Sequence, residues 1–236
     1  MDWTRVMTQF WDERARDNAP HFIATKAASY DQPNIAAFFA SGEEEVSRFL
    51  AAIDYTSSGD EIMLEIGCGI GRMTRAFARR FGTVNAIDIS PEMIDQGQRY
   101  LADCSNVHLS VSSGTDLRQF DNASIDFCFS YIVFQHIPDP TITLNYISEI
   151  GRVLKPGGIA YFQVNTDTRP LNRLRRRLQL RNRLQRLLGG PNYISPAWAG
   201  SALRVDTLRQ AIGTAGLKLE RLTGVGTQYT WVLCQC

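Results

Sequence analysis

The middle of the chain alternates two hydrophobic patterns. Short runs rich in β-branched and aromatic residues are separated by stretches in which apolar residues recur every three or four positions. This alternation is typical of βαβ units around a parallel sheet. It predicts strands at residues 61–66, 84–89, 107–111, 125–130 and 158–165, and helices at 72–81, 91–101 and 141–154.

The segments outside this alternation predict a second set of features. A helix is expected at 206–215, followed by two strands at 217–222 and 227–233 that resemble a closing hairpin. Residues 1–58, expected to be mostly helical, and 167–203 are candidates for a lid over the carboxyl ends of the strands, where open α/β sheets bind ligands. We therefore expect one domain over 1–236, with a core at 59–166 and a C-terminal helix and strand pair at 204–236.

The composition is that of an ordinary globular protein. Of the 236 residues, 44% are hydrophobic and 21% charged, which excludes intrinsic disorder, a collagen-like chain and a disulfide scaffold. No apolar run approaches the roughly 18 residues of a membrane span, and the N-terminus lacks the pattern of a signal peptide. A cytoplasmic location is therefore expected. The five cysteines lack a metal-binding or redox spacing, so reduced thiols and no metal site are predicted.

The formal net charge of +1 conceals an uneven distribution. Eight arginines and no acidic residue lie between Arg169 and Arg186, which leaves 17 of the 25 basic residues against all 24 acidic ones elsewhere. The leucines of this segment fall on two opposite helical faces, so a break is predicted near Gln179. A solvated outer face is one interpretation. The other is that arginines such as Arg173 and Arg176 recruit an anionic substrate.

A glycine loop directly follows the first predicted strand. Gly67, Gly69 and Gly71 open a helix there, an arrangement that lets a ligand approach free backbone N–H groups. The dinucleotide motif G-x-G-x-x-G would need glycine at position 72, which is Arg72. Asp88 ends the second strand, where a carboxylate can accept both ribose hydroxyls. Taken singly, the glycines could form an ordinary tight turn and Asp88 could cap a helix. The glycine loop and Asp88 together indicate a nucleoside cofactor.

These residues resemble the class I S-adenosylmethionine-dependent methyltransferases, in particular the branch that acts on small molecules. The resemblance covers roughly residues 61–166 and rests on the segments 64–72, 86–93, 124–127 and 149–158. It implies an α/β fold with a Rossmann-like, mostly parallel seven-stranded sheet, helices on both faces, an antiparallel last strand and a helical lid. The implied cofactor is S-adenosylmethionine.

The resemblance also implies roles for individual residues. The three loop glycines would hold the methionine part of the cofactor, Asp88 the ribose, and Ile89 with Met93 the adenine, while Glu65 would orient the loop and reach the amino group. Other expected contacts are Cys68, Gly114, Thr115, Ser130 and Tyr131. Many relatives bind the adenine amine with an aspartate after the third strand. Ser113 occupies the matching position here, so a hydroxyl and backbone groups would replace that carboxylate.

Residues 130–139 follow the fourth strand and are expected to line the transfer site. They lack the Asn/Asp-Pro-Pro-aromatic motif of the resembling nucleic-acid and glutamine-amide N-methyltransferases, which favours a small-molecule acceptor. His136 is the candidate general base, because imidazole titrates near neutral pH. The alternative is that His136 orders the turn by bonding a backbone carbonyl. Phe22, Tyr30 and Phe134 are candidate substrate contacts, with packing as the alternative.

Several functions remain open at this stage. Methyl transfer to a small molecule is favoured, with oxygen slightly ahead of nitrogen, carbon or sulfur because a base candidate is present. A nucleic-acid or protein methyltransferase would use the arginine segment as its electrostatic contact. A nicotinamide-dependent oxidoreductase is disfavoured by the position of the third glycine, and a non-catalytic cofactor-binding module is the last alternative. The oligomeric state is left open.

Overall fold

The fold is built around a seven-stranded sheet. The structure is a computed structural model that describes residues 2–24, 33–169 and 195–236. In chain order the strands are β1 (Ile62–Ile66), β2 (Thr83–Asp88), β3 (Val107–Val111), β4 (Ile125–Ser130), β5 (Leu154–Val164), β6 (Lys218–Thr223) and β7 (Thr230–Gln235). Their order across the sheet is β3-β2-β1-β4-β5-β7-β6, and β7 runs antiparallel to both of its neighbours. The predicted fold class, including the antiparallel last strand, is confirmed.

Helices cover both faces of this sheet. The helices of the described residues are α1 (Trp3–Ile23), α2 (Ile35–Ala52), α3 (Thr74–Ala78), α4 (Pro91–Tyr100), α5 (Pro140–Val153), α6 (Pro196–Ala199) and α7 (Val205–Thr214). On β1, Leu64 packs in the core shared with Ile147 and Leu208, whereas its neighbour Met63 packs with Val46 and Phe77 on the opposite face. The alternating strand thus contributes to two hydrophobic cores.

Most predicted elements lie within a few residues of the observed ones. The helix expected at 72–81 is shorter, because tight turns from the Gly71 N–H to Cys68 O and from the Arg80 N–H to Phe77 O flank it. Strand β5 begins at residue 154 rather than 158, since the predicted turn is itself paired: the Gly157 N–H donates to Cys236 O at 2.8 Å. The predicted break near Gln179 lies outside the described residues.

Helix α1 bends where its sequence provides a new helix start. Asn18 has non-helical backbone angles, and its side chain accepts from the His21 N–H at 3.1 Å, as an N-cap does. The bend precedes Phe22 and Ile23. None of the helices in the three described ranges has the length and apolar character needed to cross a bilayer.

Helix α2 packs closely on the glycine loop through Gly42. A Cβ atom at this position would lie 2.2 Å from the carbonyl oxygen of Arg72. The Arg72 guanidinium in turn donates to Glu45 at 2.7 Å and to Ser41 at 3.2 Å, and both residues lie on α2. In the part of segment 1–58 that the structure describes, α1 and α2 make up most of the residues, and these contacts fix α2 to the core.

Replacing Gly42 with alanine should separate α2 from the loop. We expect a loss of about 1–3 kcal/mol in the free energy of unfolding, as for other overpacked sites, measured by urea denaturation. Gly213→Ala is the matched control, because this helical glycine has open space around it, and that change should be neutral or stabilise by about 0.5–1 kcal/mol. Equal stability of the Gly42→Ala protein and the wild type would contradict the packing described.

Candidate active site

A cavity opens at the carboxyl edge of the sheet, where the strand order reverses between β1 and β4. Such switch points are the usual ligand sites of open α/β sheets. The cavity encloses about 1050 Å³, counting the solvent at its mouth. It is lined from β1 and the glycine loop, from the ends of β2 and β3, from the segment after β4 and, on the fourth side, from α1. Helix α1 contributes Met7, Trp11, Phe22 and Ile23.

The glycine loop takes a conformation that side chains rarely adopt. The φ angles of Gly67, Gly69 and Gly71 are 78°, 55° and 88°. A Cβ on Gly67 would lie 2.2 Å from Val133 Cγ2, and one on Gly69 would lie 2.6 Å from Ile23 Cδ1. The loop therefore needs glycine both for its backbone angles and for the close approach of its neighbours.

Asp88 ties the end of β2 to this loop. One carboxylate oxygen accepts from the Gly69 N–H at 2.9 Å and the other from the Ser90 N–H at 2.9 Å. Burial raises the pKa of Asp88, and the bonds from the Ser90 and Gly69 N–H groups oppose that rise. The carboxylate lines the cavity, so it can accept further hydrogen bonds from a ligand there.

Glu65 is a buried acid on the same wall. Its Oε2 accepts from the Thr74 hydroxyl at 2.6 Å, and its side chain faces the cavity. Burial raises the pKa of Glu65 to about 7, against the opposing effects of the Thr74 bond and the Arg72 charge. This carboxyl can therefore change its protonation state near neutral pH, and a cation in the cavity would favour the ionised form.

Of the residues predicted to lie near the adenine, some line the cavity and others lie outside it. Ile89, the buried Met93, Cys68 and Gly114 line the cavity. Ser113 and Thr115 do not: the Ser113 hydroxyl accepts from the N–H groups of Thr115 and Asp116 at 3.2 and 3.1 Å, so it stabilises a turn. Ser112 lines the cavity instead.

His136 lies in a short 3₁₀ turn, Phe134–His136, and also lines the cavity. Its Nδ1 is 2.9 Å from the carbonyl oxygen of Trp198, and its Nε2 is 3.3 Å from the Gln135 amide nitrogen. Because a carbonyl can only accept, Nδ1 carries the proton, and the lone pair of Nε2 accepts from the Gln135 amide at the longer distance. Burial lowers the pKa of His136 from its ordinary value of 6.5, so the ring is neutral at neutral pH. Both interpretations of His136 are thus compatible with its contacts.

Of the other predicted contacts, some line the cavity and some are buried in the core. Tyr131 and Phe22 line it. Ser130 is fully buried and donates to Ile66 O at 3.0 Å, and Phe134 packs in the core against Tyr146 and Phe162. Tyr30, Arg173 and Arg176 lie outside the described residues.

Several lining residues were not predicted as contacts. They are Met7, Trp11, Ile23, Ile66, Arg72, Met73, Ser112 and Tyr146, whereas Ile132, Val133 and Ile137 belong to the segment 130–139 that was expected to line the transfer site. Trp11 lies in the same N-terminal segment as the predicted contact Phe22, whereas nothing in the sequence pattern selected Ser112 over Ser113. In the described ranges, no group of three or more His, Cys, Asp or Glu side chains has the arrangement of a metal site.

Comparison with known proteins gives a family for the core. Residues 64–162 match the family model described as a methyltransferase domain. The chain is 32% identical over 111 residues to a ubiquinone biosynthesis O-methyltransferase of Xanthomonas oryzae, covering 45% of each chain. It is 29% identical over 136 residues to a malonyl-[acyl-carrier protein] O-methyltransferase of Serratia marcescens, covering 58% of this chain and 48% of the other. The chain thus spans about half the length of these curated relatives.

A solved structure resembles the chain over nearly its whole length. Phosphoethanolamine N-methyltransferase 1 of Haemonchus contortus, determined with phosphoethanolamine and S-adenosylhomocysteine, matches with a TM-score of 0.65 at 16% identity. The match covers 99% of this chain and 48% of that one. At this identity it is a likeness of fold. The family match makes residues 64–162 a methyltransferase domain, and the sheet order is that of the class I, S-adenosylmethionine-dependent methyltransferase fold.

Proposed function

We propose that this protein transfers a methyl group from S-adenosylmethionine to a small-molecule acceptor, with oxygen as the favoured atom. The observation that carries the proposal is that the glycine loop, Asp88 and His136 all line one cavity, which α1 covers on one side. A cofactor site and a candidate base thus share a single enclosed space. The curated relatives named above are both O-methyltransferases, which supports oxygen as the acceptor atom.

The residues present fit the chemistry of S-adenosylmethionine. Asp88 offers carboxylate oxygens to the ribose hydroxyls, and Glu65 offers a carboxylate to the positively charged amino-acid end. Ile89 and Met93 supply apolar surface for the adenine. The loop glycines, with their positive φ angles, bring the backbone to the cavity wall, where Gly67 and Gly69 can face a ligand. When bound, the cofactor supplies a methyl group made electrophilic by its sulfonium sulfur.

The protein's part in methyl transfer is mainly to hold the acceptor and exclude water. An in-line displacement gains most from fixing the nucleophile in the correct direction. Trp11 of α1 lies against the His136 ring, with centroids 5.5 Å apart, and Phe22 lines the same cavity. His136 Nε2, the unprotonated nitrogen, can take a proton from a hydroxyl acceptor. Its partner Trp198 O fixes the ring orientation that presents this nitrogen.

A small acceptor is favoured by the position of α1. Asp12 of α1 accepts from the Ser90 hydroxyl and from the Glu92 N–H at 3.2 Å, and Gln96 of α4 donates to Ala15 O at 2.9 Å. These bonds fix α1 to the start of α4 beside the cavity. Because four α1 side chains then line the cavity, a folded protein or duplex nucleic acid would meet α1 before the methyl group.

Cofactor binding should tighten as the pH rises through the pKa of Glu65. Burial holds that pKa at about 7 in the free protein, so the carboxyl is mainly neutral below this pH and ionised above it. A cationic ligand prefers the ionised form, and its affinity should rise by up to about tenfold per pH unit below the pKa. Calorimetry in two buffers with different ionisation enthalpies should show proton release near neutral pH.

The Glu65→Gln protein supplies the control for this titration. It should bind S-adenosylmethionine more weakly at high pH and lose most of the pH dependence. An affinity in the wild type that does not change between about pH 6 and about pH 8 would contradict the assigned role of Glu65.

The proposed function is tested by transfer of a labelled methyl group. The protein is incubated with S-adenosylmethionine carrying a deuterated methyl group and with a whole-cell extract. The small molecules, proteins and nucleic acids of the extract are then separated, and labelled products are identified by mass. We expect a labelled small molecule. Label recovered only in the nucleic-acid or protein fraction would replace the acceptor class, and label in no fraction would contradict methyl transfer. Separate titrations with S-adenosylhomocysteine and NADH test the nicotinamide-dependent alternative.

A further inference from the structure

We infer that the acceptor is an uncharged, planar aromatic molecule with a phenol-like hydroxyl, which lies along Trp11 and gives its proton to Nε2 of His136. This inference rests on the proposed function and names the substrate class of the same cavity. It follows from the lining of the acceptor end, the tautomer of His136 and the charge that surrounds the reacting atoms.

The end of the cavity around His136 is apolar and aromatic. The Trp11 ring meets the His136 ring edge to face, with centroids 5.5 Å apart, and the Trp198 ring lies 5.1 Å from the His136 ring. Ile137, the next residue in the chain, lines the cavity, as do Met7 and Phe22. Flat rings in offset or edge-to-face contact are the arrangement that aromatic side chains favour. This end therefore provides a surface for a planar ring rather than a set of hydrogen bonds for a sugar or a peptide.

Among the cavity-lining side chains that the structure describes, Arg72 is the only cation, and it is already engaged. Its guanidinium donates to Glu45 and to Ser41 on α2. The acidic lining residues, Glu65 and Asp88, lie at the carboxyl ends of β1 and β2 beside the glycine loop. The described part of the acceptor end thus offers no counter-ion for a carboxylate or phosphate, which favours an uncharged acceptor.

His136 is a weak base in this cavity, so it can deprotonate only a hydroxyl that is itself relatively acidic. Nδ1 is held by Trp198 O, so Nε2 is the basic nitrogen, and the acceptor hydroxyl would take the place of the Gln135 amide that lies 3.3 Å from it. Its pKa lies below the ordinary 6.5 because burial disfavours the charged ring. A phenol, with a pKa of about 10, is about 6 pKa units more acidic than an aliphatic hydroxyl, whose pKa lies near the value of about 15.7 for water. A phenol-like hydroxyl is much the easier donor.

Charge favours the phenol over an amine as well. An aliphatic amine arrives as an ammonium ion, and in an apolar cavity this cation would lie beside the positively charged sulfonium. A phenolate meets the same sulfonium with opposite charge. The hydroxyl proton passes to Nε2, an oxygen lone pair forms the C–O bond, and the C–S bond breaks with its electrons left on sulfur. His136 then releases the proton to water.

Helix α6 positions the base for this step. Beyond the Trp198 bond, Ser201 donates to Ile137 O at 2.7 Å, and a Cβ on Gly200 would lie 1.6 Å from Gln135 O. Gly200 has a φ of 56°, so glycine meets both the backbone and the space requirement there. Trp198 and Gly200 are positioning residues, because they act through His136.

The experiment uses four probes that share a two-ring skeleton. β-Naphthol is planar with a phenolic hydroxyl, and naphthylmethanol is planar with an aliphatic hydroxyl. Decalol is saturated, and naphthylmethylamine is a planar ammonium ion. Binding of each probe is measured with S-adenosylhomocysteine present, by quenching of tryptophan fluorescence, and methylation is measured with the labelled cofactor. We expect both naphthyl alcohols to bind, decalol to bind at least tenfold more weakly, and only β-naphthol to be methylated.

The outcomes separate this inference from the proposed function. Methylation of decalol, naphthylmethanol or the amine at the rate of β-naphthol, or binding of decalol as tight as that of β-naphthol, would overturn the inference. So would an extract product that is not aromatic, although the proposed function would then stand. No methylation of any probe together with an unlabelled extract would contradict the proposed function itself.

Two further measurements do not depend on turnover. Nitrogen NMR of histidine-labelled protein should show His136 with its proton on Nδ1, and Gly200→Ala should abolish that signature because α6 must move. Trp11→Leu should weaken β-naphthol binding at least tenfold, whereas Trp3→Phe, on the same helix, should not. A proton on Nε2 in the wild type, or unchanged β-naphthol binding in Trp11→Leu, would also overturn the inference.

Discussion

Replacement of Asp88 by alanine should remove cofactor binding almost completely. The carboxylate accepts from the Gly69 and Ser90 N–H groups at 2.9 Å each, and we expect its remaining lone pairs to hold the ribose hydroxyls. Hydrogen bonds to a charged group contribute about 1.5–3 kcal/mol each. Loss of two such bonds to the ribose corresponds to roughly a hundredfold to ten-thousandfold weaker binding of S-adenosylhomocysteine, measured by calorimetry.

Two further variants show whether weaker cofactor binding comes from the lost ribose contacts or from a less stable fold. Asp88→Asn keeps one acceptor oxygen in nearly the same volume and should lose less affinity than Asp88→Ala. Asp95→Ala alters an exposed acid on α4 and should bind like the wild type. If the Asp88→Ala protein unfolds at the same urea concentration as the wild type and binds S-adenosylhomocysteine equally well, Asp88 does not hold the ribose.

Replacement of His136 by asparagine should slow methyl transfer while leaving the cofactor bound. An asparagine amide can still donate to Trp198 O, but it cannot take up a proton. A general base contributes about a hundredfold to ten-thousandfold to the rate, so kcat should fall by that factor with the acceptor identified in the extract. The affinity for S-adenosylhomocysteine should change less than about twofold.

The dependence of kcat/KM on pH tests the same role of His136. His136 must be neutral to act, and burial lowers its pKa below 6.5. In the wild type kcat/KM should therefore rise with pH through a value below about 6.5 and then level off, and His136→Asn should lose that limb. His108→Asn, an exposed histidine on β3, is the matched control. A His136→Asn enzyme with wild-type kcat would leave His136 only the role of ordering the turn.

Features carried by neighbouring residues were predictable from the sequence. Ser90 and Pro91 start α4 at the predicted residue, since an N-cap hydroxyl and a proline at the first helical position act locally. The glycine loop follows β1 as predicted, because the positive φ angles belong to the glycines themselves. The mostly parallel sheet was predicted from the alternation of strand and helix, and its seven strands and antiparallel last strand from the family resemblance.

Contacts between distant parts of the chain were not predictable. Trp198 and His136 are separated by 62 residues, and Asp12 and Ser90 by 78. Neither pair has a local pattern. Ser112 and Ser113 are adjacent in sequence, and only the backbone direction at the end of β3 decides which of them lines the cavity. The sequence thus indicated which strand ends form the site, whereas tertiary packing selected the side chains.

The most direct test of the central claim, that this cavity holds the cofactor, is a crystal structure with bound S-adenosylhomocysteine. We expect the ribose on Asp88, the amino-acid end on the glycine loop near Glu65, and the sulfur directed towards the side of the cavity that His136 lines. Ligand density elsewhere on the protein, or in this cavity without a contact to Asp88, would contradict the account.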